Sequence, residues 1–308
     1  MTRHGPRARR LAKALGLIVG LAIATACGEA ATPSSAVAEL SASSTTTTAA
    51  IQRSTSTAPP TAAPIETVPD QPPLGDPPPE WLGTRLLALR PGDGLGVATP
   101  TPVELVDRQL WTVDHLDPPT GNEFVSSLTT PPPPDVIERS TWRPECPVGI
   151  DALAYGQVSF YGFDGLFHTG EFLVHQDFGE GIVEIFRELH ATRFPIEEMR
   201  VTTQGDVDAP RTGDANNTSS FVCRLAVGSS SWSRHAHGGA IDINPFHNPF
   251  VRGDLVLPEL ASSYIDRTNE RPGMVTPAVV ALFADLGWGW GGEWTSVDDW
   301  MHFSDTGN

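Results

Sequence analysis

Lysine is almost missing from this 308-residue chain, and Lys13 is the only one. A processed chain that has lost its N-terminus therefore has no lysine to act as base, nucleophile or Schiff-base former. Basic residues of both kinds are scarce, 20 against 37 acidic, for a formal charge of −17. A surface of that sign repels phosphate backbones, which argues against a nucleic-acid partner. Long apolar runs are also lacking. The run Leu15–Ala24 falls well short of the roughly 20 residues needed to span a bilayer. Tryptophan is absent before Trp81, and many of the 29 Pro and 29 Gly lie in the first 140 positions. That half of the chain is poor material for a core, so one C-terminal domain behind a non-globular leader is expected.

The N-terminus carries Arg3, Arg7, Arg9, Arg10 and Lys13, then the short apolar run, then the small residues Thr25-Ala26 before Cys27. A basic segment, a short apolar segment and a small-residue cleavage site make an export signal over residues 1–26. Ile23-Ala24-Thr25-Ala26-Cys27 resembles a bacterial lipoprotein box, which implies lipidation at Cys27 and a membrane contact through a lipid anchor only. Simple secretion is the alternative. Residues 27–80 are an Ala/Ser/Thr/Pro-rich stretch, expected to be a disordered tether. With Cys27 lipidated or removed, Cys146 and Cys223 remain. In an exported protein their simplest state is a disulfide, with two free buried thiols as the alternative.

Residues 81–139 are an ambiguous arm in which Trp81–Leu89 suggests a short helix. Residues 140–308 carry the clear signals. Gln157–Phe163 alternates and ends at Asp164-Gly165, which predicts a hairpin with a partner strand His168–His175. Ile182, Ile185, Phe186 and Leu189 predict a helix over 179–192. A second helix opens at Thr276-Pro277 and closes at Gly287. Further strands are expected at 196–201, 240–244 and 300–303. No internal repeat is visible. Strands and helices that do not alternate regularly predict an α+β domain, an antiparallel sheet with flanking helices.

Chemistry concentrates in two strings. Ser233-Arg234-His235-Ala236-His237-Gly238-Gly239-Ala240-Ile241-Asp242 is one, and Asp298-Asp299-Trp300-Met301-His302-Phe303 the other. A catalytic zinc takes about three N or O protein ligands and keeps one position open. His235, Asp242 and His302 supply such a set, with Gly238 and Gly239 letting a loop histidine meet a strand aspartate. Asp299, three residues before His302, is placed to stay off the metal and act as general base.

Ser233, His235, Gly238, Ala240 and Asp242 complete the pattern Ser-x-His-x-x-Gly-x-Ala-x-Asp, and Asp299, His302 and Phe303 complete Asp-x-x-His-Phe. Together they resemble the zinc D-alanyl-D-alanine carboxypeptidases of the VanY type, peptidoglycan peptidases whose fold is shared with the hedgehog signalling domain. The likeness runs over roughly 140–308 and includes Asn244-Pro245, Asn248-Pro249 and the Gly/Trp run 287–294. It implies zinc on His235, Asp242 and His302, Asp299 as base, and peptidoglycan stem peptides as substrate outside the cytoplasm. Many of these enzymes have Glu where Asp299 stands. Arg200 is the candidate partner for the developing oxyanion, with Arg224 the alternative. Ser233 and Trp294 are candidate substrate contacts, Trp294 sharing with Trp288 and Trp290 the choice between groove and core. His237 is expected near the cleft, His247 in a loop, and His168 and His175 in structural roles. Two other activities compete: an endopeptidase cutting L-Ala–D-Glu, and a non-catalytic zinc module that binds the wall.

Overall fold

Alternating apolar residues build the first sheet. Strands β1 (Ser126–Thr129), β2 (Leu153–Tyr161) and β3 (Phe167–His175) pair antiparallel in that order. The β2–β3 turn follows from its sequence. Gly165 takes φ +83°, and the Asp164 carboxylate accepts the Leu166 amide at 3.1 Å. Both faces of this hairpin are covered, so apolar side chains occur on both. Val158, Phe160, Phe172 and Val174 face one core, and Leu153, Tyr155 and Leu173 face another. Phe172 lies across from Gly156, where a Cβ would come within 2.1 Å of its ring.

Helices complete the first core. Pro134–Arg139 forms a short helix, α1. In α2 (Gly179–Ala191) Ile182, Ile185, Phe186 and Leu189 recur at helical spacing and bury one face against the hairpin. A brief α3 (Gln204–Asp208) is closed by a reciprocal Thr203–Asp206 capping box. The second sheet joins β4 (Ala240–Asp242), β9 (His302–Ser304) and β7 (Gly289–Trp290) in the order β4-β9-β7. The third runs β6 (Leu255–Leu257), β5 (Phe250–Arg252) and β8 (Asp298–Asp299). Helix α4 (Pro277–Asp285) starts where Thr276 accepts the Val279 amide and Pro277 occupies the first turn. Its Phe283 stacks on Phe303 of β9 at 3.8 Å between ring centroids, which joins the second sheet to the core. Each such fully buried aromatic contributes about 1.5–3 kcal/mol.

A computed structural model describes residues 74–307. The signal segment 1–26, Cys27 and the tether up to residue 73 lie outside the described residues. Every sheet is antiparallel and helices flank them, so the class is α+β as expected. Among the described residues no helix is long and apolar enough to cross a membrane.

The arm, ambiguous in sequence, packs on the rest of the described residues, for Leu105 and Leu110 share a core with Phe246, Leu260 and Tyr264. Packing begins before residue 80 as well, since Asp76 donates its amide to the Gln109 carbonyl at 2.9 Å. Trp81–Leu89 is a turn followed by an isolated Leu89–Gly96 bridge rather than a helix. Residues 196–201 form no strand. They make only an isolated Glu198–Asn217 bridge, and two of their amides bond side chains, Arg200 N–H to Asn217 at 2.9 Å and Val201 N–H to Glu171 at 3.1 Å.

Candidate metal centre and its cleft

His235 sits in a tight turn, Arg234–His237, whose N-cap is Ser233. The Ser233 hydroxyl accepts the His235 amide at 3.4 Å, so this side chain shapes the turn. Gly238 ends the turn at φ +68°, and its carbonyl accepts the His175 amide of β3 at 2.8 Å. A Cβ at Gly238 would lie 2.4 Å from that same nitrogen, so both the conformation and the space require glycine. The chain then passes through Gly239 into β4, where Asp242 stands directly opposite His302 of β9. Register thus brings together two residues 60 apart in sequence.

The three side chains converge on one point. His235 Nε2 lies 3.2 Å from His302 Nδ1 and 3.2 Å from Asp242 Oδ1, and His302 Nδ1 lies 3.0 Å from Asp242 Oδ1. Ligands about 2.0–2.1 Å from a tetrahedral zinc stand about 3.3 Å from one another. Two imidazoles and a carboxylate at these separations fit that ion. The tautomer fits as well. His235 Nδ1 donates to the Ser220 carbonyl, which leaves Nε2 with its lone pair toward the cluster. Ser220 is itself fixed, its hydroxyl donating to the Leu173 carbonyl at 2.6 Å. Burial alone would raise the Asp242 pKa, but the rings of His235 and His302 outweigh it and hold the carboxyl far below the usual range.

Asp299, on β8, stands beside this group. Its Oδ1 is buried without a hydrogen-bond partner. Burial pushes its pKa up to about 7, the His302 and Arg224 charges opposing the rise and Asp242 adding to it. Gly291 packs against it, with 2.6 Å from a built Cβ to the Asp299 carbonyl. An orphaned carboxylate near neutrality has the properties of a proton acceptor.

The remaining candidates separate clearly. Trp294 packs beside His302 at 5.5 Å between centroids, its indole N–H held by the Gly307 carbonyl at 2.8 Å. Trp288 is core, against Phe178 and Phe283, and Trp290 lies against Phe303. Ser233 is buried in its capping bond, so the structure gives it the turn before any substrate. Arg200 is not brought to the cluster by any of its contacts. Two of its nitrogens bind Asp206 at 2.6 and 2.9 Å, and its Nε binds Glu198 at 2.6 Å. A guanidinium so compensated has little charge left for an oxyanion, and Arg224 is the arginine whose charge reaches Asp299. His247 lies in the turn between β4 and β5, as expected, and is fully buried there, its two ring nitrogens facing the Arg108 carbonyl and Asn216. His168 is buried between Asp164 and Asp114. Cys146 and Cys223 are joined across a separation of 77 residues, clipping the segment that leads to the His235 turn.

Sequence reasoning missed Ser219 and Ser220. Residues 216, 218 and 220 are buried while 217 and 219 are half-open, and Ser219 pairs with Asp242 across an isolated bridge. The sequence Asn216-Asn217-Thr218-Ser219-Ser220 is polar throughout and hides that alternation, and nothing local ties it to a histidine 15 residues further on.

On this α+β scaffold two imidazoles and a carboxylate converge into a group that could hold a metal ion, with the Asp299 carboxylate beside it. Residues 227–305 match the family model described as D-alanyl-D-alanine carboxypeptidase. The family resemblance read from the sequence holds over this segment, and His235, Asp242, Asp299 and His302 all fall inside it. Searches of curated proteins and of solved structures gave no match.

Proposed function

We propose that the protein is a zinc-dependent peptidase of peptidoglycan stem peptides, acting as a D-alanyl-D-alanine carboxypeptidase on a hedgehog/DD-peptidase-like fold. The observation that carries this reading is the triangle of donor atoms from His235, Asp242 and His302, all within 4.8 Å of one another, with the unpartnered Asp299 beside it. A wall-binding module needs no such acid. The sequence of residues 1–27 supports export and a lipid anchor, with the wall as the place of work.

Zinc held by this set supplies a Lewis acid for the scissile carbonyl and acidifies the attacking water. Asp299 takes the proton of that water on Oδ1 and passes it to the leaving amine. Ser220 and the Ser233 cap keep the His235 ring in place while this happens, and Trp294 forms one wall of the cleft. Mass spectrometry of muropeptides incubated with the purified protein tests the reading. Loss of one terminal alanine, blocked by chelator and restored by zinc, is the expected result. Cleavage inside the stem moves the assignment to an endopeptidase. No cleavage by protein holding one zinc per chain contradicts the enzyme reading.

A further inference from the structure

The hairpin from Arg224 to Ser233 has no part in the scheme above, yet it spans the two halves of the site. Its base is tied to the metal-ligand turn. The Arg224 carbonyl accepts the Ser233 amide at 3.0 Å, and the Val222 amide donates to the His235 carbonyl at 3.4 Å. The disulfide at Cys223 fixes the strand that enters it. Its tip reaches the third sheet, where a Cβ on Gly228 would lie 3.5 Å from the guanidinium of Arg252. Arg252 ends β5, and β5 pairs with β8, the strand of Asp299. The hairpin therefore forms a wall from the His235 turn to the sheet that carries Asp299.

Arg224 stands at the base of this wall, half-buried. Its guanidinium makes one hydrogen bond, to the Leu225 carbonyl at 3.2 Å, and no carboxylate binds it. Arg200 and Arg234, which flank the site in sequence, differ. Arg200 is held by Asp206 and Glu198, and Arg234 by both oxygens of Asp305. A planar cation left open beside a hydrolytic cluster matches a carboxylate, which it can bind through two parallel N–H bonds. We infer that Arg224 reads the free C-terminal carboxylate of a peptide lying across the cluster, and so restricts the site to removal of a terminal residue. This inference rests on the peptidase reading and deepens it.

The test compares an acyl-D-Ala-D-Ala peptide with its C-terminal amide, on wild type, Arg224→Met and Arg224→Lys. Wild type is expected to prefer the acid. Arg224→Met should lower kcat/KM on the acid by about 10- to 100-fold, the range of a charge-assisted bond, and change the amide less than about threefold. Arg224→Lys should fall between, and zinc content and melting temperature should stay at the wild-type values. A binding arm uses zinc-loaded Asp299→Asn with and without Arg224→Met, titrated with both peptides in a calorimeter. Preference for the acid should vanish with the arginine. Equal losses on acid and amide would make Arg224 an oxyanion partner and overturn the inference. So would an unchanged preference, or a wild type that treats acid and amide alike while still cutting peptides. If nothing is cleaved but the acid is bound through Arg224, the peptidase reading fails and the restriction to terminal cleavage falls with it, while the carboxylate contact of Arg224 stands. If neither peptide is bound, both fall.

Discussion

Two of the buried histidine clusters, around His247 and around His235, differ in how far protein groups satisfy them. Around His247, each polar group has a protein partner. Its ring nitrogens face the Arg108 carbonyl at 2.9 Å and the Asn216 amide at 3.1 Å. Arg108 in turn grips Glu197 with two nitrogens at 2.6 and 2.8 Å. Burial drives the His247 pKa down to about 3, so the ring stays neutral. At the His235 cluster two ring nitrogens and a carboxylate oxygen meet one another within 3.2 Å instead, and the buried Asp299 Oδ1 beside them has no hydrogen-bond partner. Buried polar groups are paired with few exceptions, so an orphaned carboxylate oxygen beside three convergent donor atoms is where a ligand is to be sought. The first cluster fastens the arm to the domain; the second offers the donor set that the proposed zinc would take.

This contrast can be broken or sharpened by mutation. The largest effect belongs to His235→Ala or His302→Ala, which should remove the metal and with it essentially all peptide hydrolysis, read by metal analysis and turnover together. Asp299→Asn should lower kcat by about 10²–10⁴-fold, as loss of a general base does, with zinc content unchanged. Loss of the metal in that variant would make Asp299 a ligand. In the other cluster, Arg108→Met strands the Glu197 charge and should cost about 3–5 kcal/mol in chemical denaturation. Metal content and turnover per folded molecule should be unaffected, and an emptied metal site would show that the clusters are not independent. Cys146→Ser should destabilise the protein by about 2–5 kcal/mol, and an unshifted melting temperature would count against the bridge.

The smallest effect is a pH dependence. Burial favours a neutral His168, but Asp164 and Asp114 outweigh it and raise the pKa above the usual histidine value. The folded state then holds the proton more tightly than the unfolded one. The stabilisation is complete below the unfolded pKa, about 6.5, and is lost as pH rises through the raised folded value. Asp114→Asn should flatten the stability profile across that window, and an unchanged profile would remove Asp114 from the account.

Short-range features of this fold are the ones the sequence made legible. Alternation plus Asp164-Gly165 located the β2–β3 hairpin, and the spacing of Ile182, Ile185, Phe186 and Leu189 located α2. Thr276-Pro277 marked the start of α4. What failed depends on long-range contacts by single residues. The arm is held by an Arg108–Glu197 pair 89 residues apart, which no local pattern announces. Residues 196–201 read as a strand, yet the Asn217 and Glu171 side chains accept the Arg200 and Val201 amides. In the site, the ligand triad was legible because its two strings are dense in unusual residues. The support behind it was not: Ser220 holds His235 through a backbone carbonyl, which any residue could offer. Arg200 looked suitable by its place in the chain, and only its neighbours Asp206 and Glu198 show that its charge is taken.

The central claim is that His235, Asp242 and His302 form one metal site with Asp299 outside the coordination sphere. Anomalous diffraction at the zinc edge, from crystals of the zinc-loaded protein, tests it most directly. The account predicts a single peak about 2.0–2.1 Å from His235 Nε2, His302 Nδ1 and an Asp242 oxygen. A peak coordinated by Asp299, or no peak at this cluster, would contradict it.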